Sequence, residues 1–568
     1  MKLKVWAPVL IGLVSAILCI RQVGEPDVWW QVRTGEYILE QGEVPEVDVF
    51  SYTYNGDPWF NVKWGTEVVM ALFVKALGPE FLMLMQWLVL LGILLLLYGI
   101  YQQLGLALVA EKPNRGVGFY FALLLFLAAM AFRMNARPEM MSHLMTVAFL
   151  YLFVHYYNHR SRLIFLLVPL QLLWANLHEA FGVGMVLIII YNSAAWFEYI
   201  FIKTKNGWQR RELVFFGLVS VLALASVMVH PMGIPMLWQP YEIYSQLGEN
   251  KFTTELWSFK HEQYWTLPAY LGLMVLLGLV LALWRKSKGR REFRLIPLFL
   301  RHYSTGFCLP GSIGQPQSAV FISGCFSPAG VVSAAVAARW PTGPCGAFAI
   351  AGVMFYIYIG SGNFYKRFMP VEKYGLRVDA QTTPIGAAQF LKNHNVTGHG
   401  FVDYFSSSFF LWYLQPDYKS YLDLRDLDVF EPMFISNNLL AYTRPNTPTK
   451  SGKALFRFME EIDHFNYAVM GNNIKFSNFH KYMTRQEDYH LVYATPLSSV
   501  YLKDNDTNRA LLQKYKGRSL DELFHPYGEL PTAPAAYWIS KLMWPGYEPT
   551  APDQYLARHR EVYRRDYR

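Results

Sequence analysis

VWAPVLIGLVSAILCI, at residues 5–20, leads into a short stretch that ends in EPDVWW, at residues 25–30. The first run is close to the ~20 apolar residues that a helix needs to cross a bilayer. Lys2 and Lys4 precede it and no small-residue cleavage site follows, so the sequence predicts an uncleaved first span rather than a signal peptide. Asp27 then lies at the mouth of that span, where an ionisable group is costly and tends to be kept for a function.

The composition as a whole is that of a membrane protein. Of the 568 residues, 53% are apolar and 16% are charged, against roughly 25% charged in soluble domains. Further apolar runs of spanning or nearly spanning length occur at residues 81–101, 117–132, 140–157, 163–175, 181–202, 213–229 and 267–284. The predicted fold class is mainly α, a polytopic helical membrane protein with about 11 spans and a C-terminal soluble α/β domain.

The charges indicate how the chain crosses the membrane. The formal net charge of +9 is spread over short loops rather than gathered on one soluble face, which argues against nucleic-acid binding. Basic residues mark every second loop, around residues 112–115, 159–162, 203–211 and 285–294. The positive-inside rule places these loops and the N-terminus in the cytoplasm. The outer face then carries the loops 22–80, 133–139, 176–180 and 230–266.

One segment does not fit this pattern. Residues 301–345 are rich in Ser, Gly and Pro, lack a clean span and hold three of the four cysteines, Cys308, Cys325 and Cys345. Two compensating reading-frame errors are one explanation, and an irregular re-entrant segment buried by protein is the other. Three crossings in 295–361 place the C-terminal domain outside, whereas an even number places it in the cytoplasm. The cysteine spacing predicts neither a disulfide framework nor a zinc site.

The chain divides into three expected regions. Residues 1–362 form the transmembrane domain, which includes the first outer loop, residues 363–505 a soluble α/β domain, and residues 506–568 a polar helical tail. The α/β assignment rests on alternating helix and strand patterns. We predict a helix at Thr383–Asn395, a strand at Gly400–Asp403, a helix at Ser407–Leu414 and a strand at Lys419–Asp423.

The first outer loop contains TEVVMALFVKAL, residues 66–77, with apolar residues at helical spacing. It predicts a helix that either lies on the membrane surface or packs within the loop itself. Three acids of this loop are candidates for chemistry. Asp27 can accept a proton or bind a metal, although a Pro-Asp pair also suits a simple turn. Asp48 is a second candidate, and Glu67 is a third unless it is merely a solvated helix residue.

The next two outer turns add basic groups. Arg133 and Arg137 are positively charged residues on the predicted outer face, where positive charge is disfavoured. A guanidinium group can bind two phosphate oxygens, which suggests phosphate binding. Alternatively, an arginine at a helix end extends toward the interface only to keep its charge solvated. His178 and Glu179 can serve as acid and base or hold a metal. Adjacent residues do not face the same way on a helix, so the histidine is as readily a helix cap.

At these residues the chain resembles a known family, the bacterial multi-spanning glycosyltransferases of the GT-C class. The group includes polyprenyl-phosphate-sugar-dependent mannosyltransferases and aminoarabinose-transferase-like enzymes. The similarity is carried by DVWWQVRTGEYI at 27–38 and DVFSYT at 48–53, and more weakly by Arg137-Pro138, WANLH at 174–178, Pro231-Met232-Gly233, Glu255-Leu256-Trp257 and YLDLR at 421–425.

The resemblance implies a lipid-linked donor, usually a polyprenyl phosphate sugar, used on the periplasmic face of a bacterial inner membrane. Asp27 matches the position of the family's catalytic base, and Arg133 and Arg137 are then expected to hold the donor phosphate. The sugar, the acceptor and a possible divalent metal, Mg or Mn, stay open. His230 departs from the pattern, because the family more often has Asn there. The segment 301–345 also lacks the span that carries a further basic position in the family.

The expected site therefore has two parts. The catalytic candidates are Asp27, Asp48, His178 and Glu179, and the candidates for substrate binding are Arg33, Glu67, Arg133, Arg137, Trp29 and Trp30. A polysaccharide polymerase or ligase is an alternative that depends more on the arginines and His178. A non-catalytic transport or assembly protein is another, although the internal hydropathy repeats of many transporters are not evident.

Overall fold

The structure, a computed structural model, describes residues 3–108, 116–131, 134–201, 207–238, 345–364, 373–549 and 556–567. The chain splits into two compact units. The first comprises Met1–Cys19 and Leu84–Phe364, and the second comprises Ile20–Met83 and Tyr365–Arg568. The first outer loop, which the sequence assigned to the transmembrane domain, thus groups with the C-terminal residues, and so does the tail.

The first unit is built from helices. They are α1 (Leu3–Cys19), α4 (Leu82–Leu108, whose first two residues belong to the second unit), α5 (Gly116–Met130), α6 (Glu139–His159), α7 (Leu167–Leu177), α8 (Phe181–Phe201), α9 (Arg210–Ser226) and α10 (Cys345–Gly360). Short 3-10 turns lie at Arg162–Leu166 and Ile234–Leu237. Each of the seven predicted spans that falls on described residues corresponds to a helix, whereas 267–284 and 301–344 lie outside the described residues.

Two helical segments among the described residues are long and apolar enough to cross a membrane, Pro79–Gln103 and Phe181–Phe201. Shorter apolar helices are Ala7–Cys19, Arg162–Leu177 and Ile350–Gly360. Aromatic contacts hold the bundle of α6 to α9 together. Tyr191 stacks on Phe153 with 4.3 Å between ring centroids, and its hydroxyl donates to the Phe153 carbonyl at 2.7 Å.

The loop 22–80, which lies within the second unit, contains two packed helices. Helix α2 (Asp27–Gln41) begins with an acid in its first turn, which suits the helix dipole. It ends at Gly42, whose φ of 76° lets the backbone N–H bond to the Ile38 carbonyl. Helix α3 (Trp64–Leu77) packs against α2, and the Ala71 side chain lies beside Gly35 of α2. Residues 66–77 were predicted to lie on the membrane surface or to pack within the loop. The inner face of α3 packs within the loop.

The C-terminal residues form a small α/β domain. Its sheet has the order β1 (Gly400–Val402), β2 (Tyr467–Gly471), β4 (Ser498–Lys503), β3 (Tyr489–Ala494), with β1 parallel to β2 and the other pairs antiparallel. The helices are α11 (Ile385–Asn393), α12 (Tyr404–Tyr413), α13 (Pro432–Thr443), α14 (Leu455–Asp463), α15 (Ser477–Met483), α16 (Arg509–Tyr515), α17 (Leu520–Leu523), α18 (Pro534–Met543) and α19 (Leu556–Tyr567).

The sequence predicted part of this domain. Helices α11 and α12 and strand β1 confirm three predicted elements, and helices also lie beyond residue 504. The strand predicted at Lys419–Asp423 is wrong. Only Ser420 makes an isolated bridge there, because the Asp423 side chain accepts hydrogen bonds from the Ser420 hydroxyl and the Arg425 backbone and turns the chain.

The contact between α2 and α3 leaves no room for a side chain at Gly35. A Cβ atom there would lie 2.0 Å from the Glu67 carbonyl oxygen. We expect Gly35→Ala to lower the free energy of unfolding by about 3 kcal/mol, the upper part of the range for overpacking. Gly12→Ala in α1 is the matched control, because a Cβ there meets nothing within 4 Å. Equal thermal melting of the two purified variants would contradict this packing.

Candidate functional site

Asp27 opens helix α2 and is only half buried. Its Oδ1 accepts a hydrogen bond from the Trp30 indole N–H at 3.3 Å, which orients the carboxylate from one turn further along. A carboxylate suits the positive end of the helix dipole at this position. Asp27 therefore combines a fixed orientation with access from outside, which a proton acceptor requires.

Trp29 and Trp30 are buried, which the sequence did not predict. Trp29 is 1% exposed and packs against Phe409 and Trp412 of α12, with ring centroids 5.0 and 4.8 Å away. Trp30 is 2% exposed and contacts Trp59. The two side chains, predicted to bind substrate, instead pack helix α2 into the second unit.

Arg33 is also inside the unit rather than on an open surface. It is 8% exposed, and its guanidinium donates to Glu40 at 3.2 Å and lies over the Phe50 ring at 5.8 Å. These contacts give it a role in holding α2, so we leave it out of the substrate-binding set.

Asp48 belongs to a fully buried charge cluster. Arg425 donates from Nη1 to Asp48 at 2.5 Å, and from Nε and Nη2 to the two oxygens of Asp423 at 2.8 and 2.7 Å. All three side chains have no exposed surface. The Asp48 carboxylate also accepts the backbone N–H groups of Phe50 and Ser51 and the Ser51 hydroxyl. With its lone pairs used in this way, Asp48 is a structural acid rather than a catalytic one.

Aromatic rings enclose the Arg425 guanidinium. Its central carbon lies 4.9 Å from the centroid of Trp59, 5.3 Å from that of Phe50 and 5.7 Å from that of Phe430. Ring faces stabilise a desolvated cation. Together with two carboxylates they compensate for the removal of three charged groups from water.

Glu67 is buried on the inner side of α3. One of its oxygens accepts a hydrogen bond from the Asn61 amide at 2.6 Å, and the residue is 0% exposed. Burial raises the pKa of Glu67 from its ordinary 4.5 to about 8, only partly offset by the Asn61 hydrogen bond and the charge of Lys63. Glu67 is thus a neutral core acid near neutral pH, not the solvated residue or substrate ligand expected from the sequence.

The turn at residues 133–139, which contains Arg133 and Arg137, belongs to the first unit. Arg133 lies outside the described residues. Arg137 is half buried just before α6, and its carbonyl accepts a hydrogen bond from Gln86 of α4 at 3.5 Å. This contact fixes the backbone of the turn between two helices of the unit.

His178 follows the end of α7 and is held by α6. Its Nδ1 accepts the backbone N–H of Ala180 at 3.2 Å and lies 2.8 Å from the Ser142 hydroxyl. The same hydroxyl oxygen accepts the indole N–H of Trp174 at 2.8 Å, so its own proton is directed to His178. With Nδ1 acting as acceptor, the neutral ring carries its proton on Nε2. Glu179 is 4.0 Å from that nitrogen.

His230, where the sequence departs from the resembled family, is 6% exposed, and its Nδ1 accepts the N–H of Met232 at 3.1 Å. This hydrogen bond supports the turn after α9.

A divalent metal finds no prepared ligand set in the part of the chain that the structure describes, since no three His, Cys, Asp or Glu side chains cluster there. Asp48, the most deeply placed candidate ligand, is committed to Arg425.

No family model and no curated protein matches the chain in sequence. Its structure is similar to that of the Archaeoglobus fulgidus oligosaccharyltransferase in the apo form, with a TM-score of 0.54 and 12% identity over 89% of this chain and 75% of that one. For the same enzyme tethered with an acceptor peptide containing the NVT sequon, the TM-score is 0.50 and the sequence identity 12%, over 86% of this chain and 72% of that one. At this identity the likeness shows the fold: the chain has the fold of an oligosaccharyltransferase, in agreement with the GT-C resemblance.

Sequence reasoning missed Arg425, Asp423, Ser142 and Trp174. The Asp-x-Arg spacing of 423–425 was a signal for a local ion pair, but its partner Asp48 is 377 positions away. The sequence shows that Trp174 and His178 are one helical turn apart. It does not show that Ser142, which contacts both side chains, lies beside them, because Ser142 is on another helix.

Removal of the cation from the Asp48 cluster should be severe. Arg425→Leu leaves two buried carboxylates without their partner, and we expect a loss of about 3–5 kcal/mol in unfolding free energy. Arg509→Leu is the control, because the pair it forms with Asp506 is exposed and little change is expected. Comparable thermal melting curves for the two purified variants would show that the cluster does not stabilise the second unit.

Glu67 should make stability depend on pH. Its folded pKa lies above its unfolded value, so its contribution is complete below 4.5 and is lost as the pH rises to about 8. Glu67→Gln keeps the shape and removes the titration. We expect the melting temperature of the unmodified protein to fall relative to that of the Gln variant across this interval. Parallel pH profiles would mean that Glu67 titrates at its ordinary pKa in the folded protein.

Proposed function

We propose that the chain is a membrane glycosyltransferase that moves a sugar from a lipid-linked, polyprenyl phosphate donor to an acceptor on the outer face of a bacterial inner membrane. The observation that carries the proposal is the fold likeness to an oligosaccharyltransferase over 89% of the chain. The motifs around Asp27 point to the same class independently of that likeness. The proposal includes about 11 spans, a periplasmic site and a C-terminal domain on the same side.

Asp27 is the proposed general base. The acceptor hydroxyl gives its proton to the carboxylate as its oxygen forms a bond to the anomeric carbon of the sugar. The bond between that carbon and the phosphate oxygen breaks on the opposite face, so the configuration inverts. The Trp30 indole holds the carboxylate in place for this step. Because Trp30 is itself locked in the core, the base is positioned by packing rather than by solvent-exposed contacts.

The phosphate that leaves keeps the bonding electrons and an added negative charge. Arg133 and Arg137 are the proposed groups that neutralise it, since a guanidinium can bind two phosphate oxygens. His178 is proposed as a hydrogen-bond donor from Nε2 to the substrate rather than as a base, because its Nδ1 already accepts two hydrogen bonds. Glu179 is the proposed partner of that Nε2–H when substrate is absent.

Asp27→Asn should reduce glycan transfer by at least about 100-fold, the lower end of the contribution of a general base. The measurement is transfer from a polyprenyl phosphate sugar by the reconstituted full chain, together with mass spectrometry of the lipids and glycans of a deletion strain carrying each variant. Asp57→Asn is the control, because Asp57 is an exposed acid of the same loop. Full activity of the Asp27 variant would remove it as the base.

Transfer of a preassembled glycan is a second candidate, favoured by the likeness to an oligosaccharyltransferase that was tethered with an acceptor peptide. The mass of the transferred group distinguishes the two: one sugar supports the first, and a defined oligosaccharide supports the second. In the second case the loss of activity should be larger for His178→Gln than for Asp27→Asn.

A further inference from the structure

Helix α18 has its apolar side turned outward. Trp538, Ile539 and Leu542 follow at helical spacing on one face and are 66%, 36% and 80% exposed. Ala536 and Ser540, on the opposite face, are both 0% exposed. A helix on a soluble domain normally buries its apolar stripe and exposes its polar residues. In α18 this order is reversed.

The orientation is fixed by hydrogen bonds on the inner face. The Ser540 hydroxyl oxygen accepts the backbone N–H of Leu376 at 2.9 Å and donates to the Ala536 carbonyl at 2.8 Å. The Ser540 carbonyl accepts the Tyr374 hydroxyl at 2.9 Å. Rotation of the helix to bury Trp538 and Leu542 would break the two bonds to Leu376 and Tyr374, so the outward stripe is a built feature of the second unit.

Two connections place α18 at the ends of apolar helices. Ala533, immediately before α18, donates its backbone N–H to the Glu80 carboxylate at 2.8 Å. Glu80 is the second residue of Pro79–Gln103, a segment long enough to span a membrane. On the other side, the strand-like segment that carries Tyr374 pairs with the residues just after α1: Gly375 donates to the Ile20 carbonyl at 3.2 Å, and Gln22 donates to the Lys373 carbonyl at 2.8 Å.

From these contacts we propose that α18 is an interfacial anchor whose outward stripe, Ala535, Trp538, Ile539 and Leu542, lies in the headgroup region of the bilayer. Residue 20 follows the end of one apolar helix and residue 80 begins another, so both mark the level at which the chain meets the membrane surface. Helix α18 is about 15 Å long and is tied to these places just before its start and at Ser540, so we place its length along that level. Trp and aliphatic side chains on one face are the composition that binds there.

A lipid surface is the occupant that these observations favour over a second protein. A protein partner requires a complementary surface, and none is identified among the described residues, whereas the segment to which α18 is tied is itself long and apolar enough to cross a bilayer. The inference depends on the membrane placement of Pro79–Gln103, but not on the proposed glycosyl transfer.

The test uses the full chain, with its four native cysteines replaced by alanine, in vesicles of phosphatidylglycerol and phosphatidylethanolamine. An environment-sensitive fluorophore is attached at Leu542→Cys, at Asp506→Cys and at Leu95→Cys in separate variants. Asp506 is the exposed control in the second unit, with 89% of its side chain accessible. Leu95 is the control inside the span, where it is 62% exposed. All three substitutions leave the core untouched.

We expect blue-shifted emission at position 542 and loss of that emission with nitroxide lipids labelled near the headgroup. Position 95 should be quenched most by nitroxide deep in the acyl chain, and position 506 by neither. A fluorophore at 542 as water-exposed as that at 506, beside a quenched position 95, overturns the anchor and leaves the membrane placement intact. Loss of quenching at both 542 and 95 overturns both.

Blue-shifted but unquenched emission at 542 shows that protein rather than lipid covers the stripe, and it also overturns the proposal. Ala535→Cys provides a second position on the same face. Its emission should respond to the lipid quenchers as that of 542 does, because the two residues lie two turns apart on one stripe.

Discussion

The second unit depends on one buried cation. Arg425 has no exposed side-chain surface, and it is bound by Asp48 from the outer loop and by Asp423 from the C-terminal residues. Charges removed from water in this way are tolerated only when the geometry pairs them closely. The hydrogen bonds of 2.5 to 2.8 Å and the surrounding rings meet that requirement. The pairing therefore joins two distant parts of the sequence into one unit.

The pairing of Asp48 with Arg425 also helps to determine the position of Asp27, the proposed base. Helix α2, which begins with Asp27, is packed through Trp29 onto α12 and at Gly35 onto α3. The loop is thus a packed part of a folded unit. A catalytic carboxylate at the start of such a helix needs little reorganisation before it accepts a proton.

The sequence predicted the parts that depend on local pattern. Apolar run length identified helices of the first unit, and the loop motif singled out Asp27, which the structure places half buried at the start of α2. It could not distinguish the roles of three acids in one loop, because burial of Asp48 and Glu67 follows from partners such as Arg425 and from packing on α2. Nor could it assign Trp29 and Trp30, since an aromatic residue suits a core and a substrate surface equally well.

The Asp48–Arg425 pair has a consequence for the biogenesis of the protein. The two partners are 377 positions apart, and synthesis at about 5–20 residues per second separates their appearance by roughly 20 to 75 s. During that interval the outer loop exists without the guanidinium that neutralises its buried aspartate. The loop therefore reaches its final packing only after translation has passed Arg425, and a chain truncated before that residue leaves the loop without its central partner.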